Sequence, residues 1–151
     1  DCGLFQGHRK EAILWNHEFT FEPSELDLVV LSHAHIDHSG ALPLLVKKGF
    51  SGVIYCTHAT RDLCGIMLRD SAYIQEREAE WLTKKGEPTE PLYTIEDAEK
   101  AISLFRSVSY HQKIRIDNNI SLKFKEAGHI LGSAMEEWEI YDKNSAQHIR
   151  F

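Results

Sequence analysis

Two short runs of apolar residues mark the first third of the chain. The runs "LDLVVL" (26–31) and "GVIYC" (52–56) are continuous rather than alternating, and both contain β-branched side chains. Continuous apolar runs of this length are typical of strands that are buried on both faces, as in a parallel sheet. The sequence therefore predicts two central strands, and polar residues follow each of them directly.

Helical patterns follow each predicted strand. The segment 40–49 carries lysines before Gly49, which predicts a short helix that stops at the glycine. A second helix is predicted to begin near His58 with Thr57 as its cap, and a polar helical stretch continues to about Lys85.

A loop and a third helix are predicted next. Residues 85–93 contain two prolines and a glycine, which favours a loop. Thr94 and Asp97 resemble a capping box, the reciprocal pair that opens many helices, so a helix is predicted over 95–105.

The last third of the chain changes to a strand pattern. Short β segments that look antiparallel are predicted at 107–110, 113–116, 120–127, 133–142 and 146–151, with turns at 117–119 and 142–145. Because strands and helices alternate early and strands dominate later, we expect sheets with helices on their outer faces.

The composition is that of an ordinary globular protein. The chain has 151 residues, of which 42% are hydrophobic and 26% charged, and this length suits one domain or a large part of one. No apolar stretch approaches the roughly 18 residues of a membrane span, and no signal-peptide pattern precedes the first strand. The chain begins with Asp1 and stops in "HIRF", so we expect a fragment trimmed at both ends.

The cysteines and the net charge bear on the cellular compartment and on nucleic-acid binding. Cys2, Cys56 and Cys64 form no CxxC pair, which favours a reducing cytoplasm and buried apolar thiols rather than ligands. A net charge of −6 argues against a dedicated basic surface for nucleic acid. It leaves a nucleic-acid substrate open, because two divalent cations would bring positive charge to the site itself.

The run "LSHAHIDHSG" (31–40) carries the candidate chemistry. His33 and His35 are two residues apart, so extended backbone points both the same way. Asp37 and His38 follow a turn toward a helix and can aim at a second point nearby. The four side chains can thus divide between two metal ions roughly 3.5–4 Å apart, the spacing of two-metal hydrolytic sites.

Two other interpretations of this run are possible. A solvated loop could hold the histidines by chance, but such a dense pattern is rare in a chain of this composition. A closed structural site would bind one ion with all four side chains, yet four ligands from six residues would be strained, and no cysteine lies near.

A further candidate ligand lies far along the chain. His129 stands in "EAGHILGSA" (126–134), where Gly128 and Gly132 allow close approach of the backbone. Alone it would be predicted as a solvent-exposed turn residue; together with the histidine run it is predicted as a ligand. His58 is predicted to start a helix, and the remaining histidines are predicted at the surface or in turns: His8, His17, His111 and His148.

These motifs resemble a known family. HxHxDH after an apolar strand is the signature of the metallo-β-lactamase fold. With "DCGLFQG", "THAT" and "AGHILGSA" in this order, the chain resembles its β-CASP branch, which contains RNase J and the endonuclease subunit that cuts messenger-RNA precursors before polyadenylation. "RDSAYIQEREAEW" is similar to a stretch in bacterial and archaeal members.

The resemblance implies an α/β (α+β) fold, a four-layer αββα sandwich that is incomplete at both ends. It implies two Zn²⁺ ions, with Mn²⁺ or iron as other metals that the ligands accept. The residues it implies are His33, His35 and His129 on the first ion, Asp37 and His38 on the second, Asp37 also in catalysis, and Asp1 as an orienting residue rather than a ligand.

The same resemblance implies that residues 1–151 are part of a metallo-β-lactamase domain. A bridging aspartate, a β-CASP domain and later histidines should follow Phe151, so the isolated chain is expected to be inactive. The parent is expected to be a cytoplasmic hydrolase of single-stranded RNA that binds no membrane and is able to form a homodimer. A hydrolase of a small thioester, lactone or lactam, and a non-catalytic RNA-processing scaffold, remain the alternatives.

Overall fold

The computed structural model describes residues 1–8, 15–143 and 145–151. Its first sheet is parallel and has three strands in the order β1–β2–β3. These strands are β1 (Leu28–Val30), β2 (Val53–Thr57) and β3 (Phe105–Val108). Leu28 lies opposite Val53, and Ile54 lies opposite Phe105. The two apolar runs are therefore neighbouring parallel strands, as predicted.

The second sheet is antiparallel and has four strands in sequence order. They are β4 (Lys113–Arg115), β5 (Ile120–Glu126), β6 (Ala134–Asp142) and β7 (Gln147–Arg150). The predicted turn at 117–119 joins β4 to β5. The predicted turn at 142–145 includes Asn144, which lies outside the described residues.

Four α-helices and one 3₁₀ turn complete the described elements. The helices are α1 (Ile36–Ser39), α2 (Leu42–Lys47), α3 (His58–Lys84) and α4 (Ile95–Ser103), and the 3₁₀ turn is Pro23–Glu25. Gly49 follows α2 with a φ of +110°, so the predicted glycine stop is confirmed. The two helical segments predicted between His58 and Lys85 are one continuous helix.

The parallel sheet is buried on both faces, which explains its continuous apolar runs. Val29 and Ile54 face the helices and pack with residues such as Leu45 and Leu68. The intervening strand residues turn the other way and form a second core with the antiparallel sheet: Val30, Tyr55, Val108, Leu122, Phe124 and Ala134. The described residues thus form three layers, helices on a parallel sheet on an antiparallel sheet, and the α/β fold expectation is confirmed.

The predicted end of the third helix and the pairing of the next strand were wrong. The helix was predicted to reach Phe105, but α4 ends at Ser103 and Phe105 begins β3. We predicted the segment after it as the first antiparallel strand, whereas β3 pairs in parallel with β2. Parallel pairing with β2 is favoured because it places Val108 in the core between the two sheets. This stabilisation depends on residues far apart in the sequence, so the local pattern does not indicate it.

Both predicted helix caps are present. Thr94 accepts from the Asp97 backbone N–H at 3.3 Å, and the Asp97 carboxylate accepts from the Thr94 backbone N–H at 3.0 Å, which closes the capping box. The Thr57 hydroxyl accepts from the Thr60 N–H at 3.3 Å at the start of α3.

The cysteines are mostly buried, as predicted. Cys56 and Cys64 are fully buried in the first core, and Cys2 is half-buried beside it. Burial raises the pKa of the Cys56 thiol to about 12 and the pKa of the Cys64 thiol to about 11, so both stay protonated at neutral pH. Within the described ranges, every helix is too short or too polar to cross a bilayer.

Candidate metal centre

The histidine run lies at the carboxyl end of β1, where the chain leaves the parallel sheet and enters α1. His33 is only 7% exposed, and His35 is half-buried at the start of α1. The buried Ser39 hydroxyl contacts the carbonyl oxygens of Ala34 and His35 at 2.9 and 3.1 Å. The run is therefore anchored at both ends by buried structure, and its imidazoles project from a fixed backbone.

Three imidazoles from two distant parts of the chain converge here. His33 Nε2 lies 3.1 Å from His35 Nδ1, and His129 Nε2 lies 3.2 Å from the same His35 atom. One ring nitrogen from each histidine lies within 4.8 Å of the other two. Nitrogen ligands of one tetrahedral zinc, at bond lengths of 2.0–2.1 Å, would be about 3.3 Å apart, and the two separations from His35 match a shared divalent metal.

The position of one ring proton on His33 can be inferred from its neighbours. The Ser32 hydroxyl donates to Asp1 Oδ2 at 2.7 Å and lies 2.9 Å from His33 Nδ1. Because a hydroxyl has a single proton, Ser32 accepts from His33, so His33 Nδ1 carries the hydrogen and Nε2 presents a lone pair. That lone pair points toward the other two imidazoles, as a metal ligand requires.

Asp37 and His38 lie beside this group. His38 Nδ1 lies 2.7 Å from Asp1 Oδ2, which makes it the donor and leaves His38 Nε2 facing Asp37 Oδ2 at 3.8 Å. The His38 and His33 rings are 4.0 Å apart between centroids. The structure thus places the second predicted pair next to the three histidines, with an exposed carboxylate and a ring nitrogen free to bind a second ion.

The Asp1 carboxylate is linked by hydrogen bonds to both predicted ligand pairs, His33 with His35 and Asp37 with His38, but belongs to neither pair. It accepts from the Ser32 backbone N–H, from the Ser32 hydroxyl and from His38 Nδ1, each at 2.7 Å. These bonds orient one imidazole from each pair, directly for His38 and through Ser32 for His33. Sequence reasoning missed Ser32; its signal was a hydroxyl residue directly before the first histidine.

The segment that carries Asp1 packs tightly on α1. Cys2 N–H donates to the His38 carbonyl at 2.7 Å, and Leu4 N–H donates to the Ile36 carbonyl at 3.0 Å. Between them, a Cβ on Gly3 would lie 1.7 Å from the carbonyl oxygen of Asp37, so no other residue fits without moving the backbone. This close approach keeps Asp1 within reach of the ligands.

The electrostatics of the group favour neutral imidazoles. Burial, and then the neighbouring rings of His38, His35 and His129, lower the pKa of His33, while Asp37 opposes this weakly. Neutral imidazole is the form that binds a metal. The crowding that disfavours a proton on His33 is therefore compatible with a bound cation.

The other histidines lie where they were predicted. His58 begins α3, where its Nε2 lies 3.4 Å from the Ser109 hydroxyl, and it is outside the three-histidine group. The four histidines predicted at the surface are exposed: His8, His17, His111 and His148.

Replacing Asp1 with asparagine should weaken metal binding without unfolding the chain. The amide has no charge and one acceptor atom fewer, so the proton positions on His33 and His38 are less firmly set. We expect zinc affinity, measured by isothermal titration calorimetry, to fall about 10–100-fold. Asp62→Asn, which changes an exposed carboxylate paired with Arg61, is the matched control. Affinity within about twofold of the unaltered chain would contradict the role given to Asp1.

Comparison with known proteins identifies relatives of this chain. The chain is 39% identical over 134 residues to ribonuclease TTHA0252 of Thermus thermophilus, covering 89% of this chain and 27% of that protein. It is 38% identical over 144 residues to transcription termination factor FttA of Methanothermobacter thermautotrophicus, covering 94% of this chain and 21% of that protein. Both are β-CASP proteins, so the resemblance drawn from the motifs is confirmed.

A solved structure supports the fold alone. A B3 metallo-β-lactamase with an active-site glutamic acid superposes with a TM-score of 0.54 at 14% identity, over 99% of this chain and 50% of that chain. The chain spans only about a quarter of the length of the two sequence relatives.

The family model for the metallo-β-lactamase superfamily domain matches residues 1–149, a range that includes the whole histidine run and His129. With the imidazole cluster at the end of β1 and this match over nearly the full length, the chain belongs to the metallo-β-lactamase superfamily.

Proposed function

We propose that this chain supplies the metal-binding core of a two-metal-ion hydrolase that cuts phosphodiester bonds in RNA. The observation that carries the proposal is the convergence of His129 on His35, with ring nitrogens 3.2 Å apart across 94 positions of sequence. The RNA substrate is supported by the similarity to a ribonuclease. That match covers 89% of this chain, so it must include the segment 33–129 that carries the candidate ligands.

Each side chain has a distinct part in this proposal. His33, His35 and His129 hold one ion, and Asp37 and His38 hold the other; zinc fits best, and manganese or iron would accept the same donors. When bound, such ions supply a water of lowered pKa and positive charge for the phosphate oxygens. The exposed Asp37 carboxylate would also accept a hydrogen bond from the attacking water, and Asp1 would keep the ring protons away from the metal-facing nitrogens.

The site is open on one side. His33 is buried, whereas Asp37 and His129 are exposed, so a substrate reaches the donors from the solvent side. A single strand of RNA can bring a phosphate there without unwinding. The sequence relatives are about four times as long as this chain. Residues outside this chain would therefore complete the ligand set and bind the RNA. The isolated chain is accordingly proposed to be inactive, and the full-length enzyme to act in the cytoplasm.

The two other functions have less support. Hydrolysis of a small lactam, lactone or thioester would use the same ions, but the similarity to a β-lactamase is at 14% identity and concerns the fold. A non-catalytic scaffold has no need to keep all five predicted donors, and here they lie together.

Metal-dependent RNA cleavage tests the proposal. The full-length protein that carries this sequence should cleave end-labelled single-stranded RNA, lose that activity when treated with a chelator, and regain it with zinc. Fragment lengths on a sequencing gel would separate internal from terminal cuts. A homoserine lactone and a chromogenic cephalosporin serve as competing substrates. Cleavage that survives complete metal removal, or turnover of the lactone or lactam in place of RNA, would exclude the proposed function.

A further inference from the structure

Two buried threonines hold the loop that carries His129. Thr57 ends β2 and Thr60 lies in the first turn of α3, and they are 3% and 0% exposed. Both hydroxyls donate to the carbonyl oxygen of Gly132, Thr57 at 2.6 Å and Thr60 at 2.9 Å. A carbonyl oxygen has two lone pairs, so this pair of threonines satisfies it completely. We refer to Thr57, Thr60 and Gly132 as the threonine clamp.

Gly132 lies directly against the start of α3. Its φ is +85°, and a Cβ there would lie 2.6 Å from the Thr60 backbone nitrogen and 2.8 Å from the Thr57 hydroxyl oxygen. Contact this close is possible only for glycine. The backbone of the loop is thus pressed against the helix rather than connected to it through long side chains.

A short set of hydrogen bonds connects the clamp to His129. The hydroxyl of Ser133, the residue after Gly132, accepts from the backbone N–H groups of His129 and Ile130 at 3.1 and 3.2 Å. Ser133 N–H donates to the Ile130 carbonyl at 2.9 Å, and Ala134 N–H donates to the Ser32 carbonyl at 2.9 Å. These bonds connect the backbone at His129 to Gly132, whose carbonyl the clamp holds. The Tyr110 hydroxyl also donates to the Ser133 carbonyl, at 2.8 Å.

The His129 ring has little else to fix it. Its side chain is exposed, and its close neighbours are the other imidazoles. Ile130, the next residue, packs against the first core. The orientation of the imidazole therefore depends on the backbone of the loop.

We propose that Thr57 and Thr60 are positioning residues, whose hydroxyls hold Gly132 so that the His129 imidazole stays beside His35. This inference deepens the proposed function, because it names the groups that preorganise the ligand supplied by the second sheet. It concerns the position of a side chain, so it can be tested without a metal.

The test compares Thr60→Val, which keeps the shape but removes the hydroxyl, with Thr60→Ser, which keeps the hydroxyl. In the full-length protein that carries this sequence, amide hydrogen exchange by NMR is followed at His129 and Ile130. We expect exchange about tenfold faster in Thr60→Val and close to the unaltered rate in Thr60→Ser, as loss of one buried hydrogen bond implies. The Leu31 amide, which donates to Tyr55 within the parallel sheet, should not change in either variant.

A Co²⁺ titration of the same proteins gives a second, spectroscopic reading. The visible absorption band of bound Co²⁺ should appear at about tenfold higher concentration in Thr60→Val and be restored in Thr60→Ser. Ser71→Ala is the matched control, because it removes a hydroxyl from α3 that contacts Tyr93 and not the loop. If the unaltered full-length protein that carries this sequence shows no Co²⁺ band, the metal assignment fails, while the exchange experiment still decides the role of the clamp.

Three results would overturn the inference: unchanged exchange at His129 in Thr60→Val, equal acceleration at Leu31, or failure of Thr60→Ser to restore the rate. Thr60→Ala replaces Thr60→Val if the valine variant does not fold, because it removes the hydroxyl without placing a second methyl group against the carbonyl.

Discussion

His35→Ala is expected to abolish RNA cleavage by the full-length protein and to lower the metal affinity of this chain by more than about 100-fold. His35 Nδ1 is the atom that both other imidazoles approach, His33 at 3.1 Å and His129 at 3.2 Å. Its removal leaves only two of the three nitrogen donors, His33 and His129, within 4.8 Å of each other. Loss of a direct ligand should exceed the roughly 10–100-fold effect of losing an orienting residue.

The fold should survive this substitution. His35 is half-buried and lies outside both hydrophobic cores, so the urea midpoint should change little. His17→Ala, which removes an exposed imidazole outside the cluster, is the control and should keep full activity. Zinc content by elemental analysis and cleavage of labelled RNA are measured on the same preparations. A folded His35→Ala protein that cleaves RNA normally would rule out the metal assignment.

Phe124→Ala should cost about 3–5 kcal/mol in the free energy of unfolding, the range for removing a buried aromatic side chain. Phe124 is 0% exposed on β5 and packs between the two sheets with Val30, Tyr55 and Val108. Its loss leaves a cavity at the junction of the sheets, because rigid strands on both sides limit collapse. Such a loss is a large part of the stability of a domain of this size.

Urea denaturation followed by circular dichroism measures this effect. Ile149→Ala on β7, where the side chain is 47% exposed, is the matched control and should change stability by less than about 1 kcal/mol. We also expect zinc affinity to fall in Phe124→Ala and not in Ile149→Ala, because the contact between the sheets sets the separation of His129 and His35. A loss under about 1 kcal/mol for Phe124→Ala would show that the two sheets are not held together by this core.

Features with a short repeat or a local hydrogen bond were predictable from the sequence. The two buried strands follow from nearly continuous apolar runs, and the helix starts follow from Thr57 and from the Thr94–Asp97 pair. The identity of the histidine run as a candidate metal site also follows from residue type and spacing alone.

Pairings between distant segments were not predictable in the same way. The segment after the third helix was predicted as a short antiparallel strand, and the parallel pairing of β3 with β2 was not predicted. Strand pairing is decided by what both faces of the finished sheet bury, and no local pattern reports that. The Thr57 and Thr60 contacts with Gly132 escaped notice for the same reason, since 75 and 72 residues separate the partners.

The sequence by itself determined the direction of His33 and His35, since residues two apart in extended backbone project to one side. It also determined that Asp37 and His38 follow on a turn of helix. Only the tertiary structure decided that His129 lies 3.2 Å from His35, and that Asp1 and Ser32 orient the rings. The physical reason is that these contacts join the antiparallel sheet to the parallel one through a shared core, which forms only when the whole chain packs.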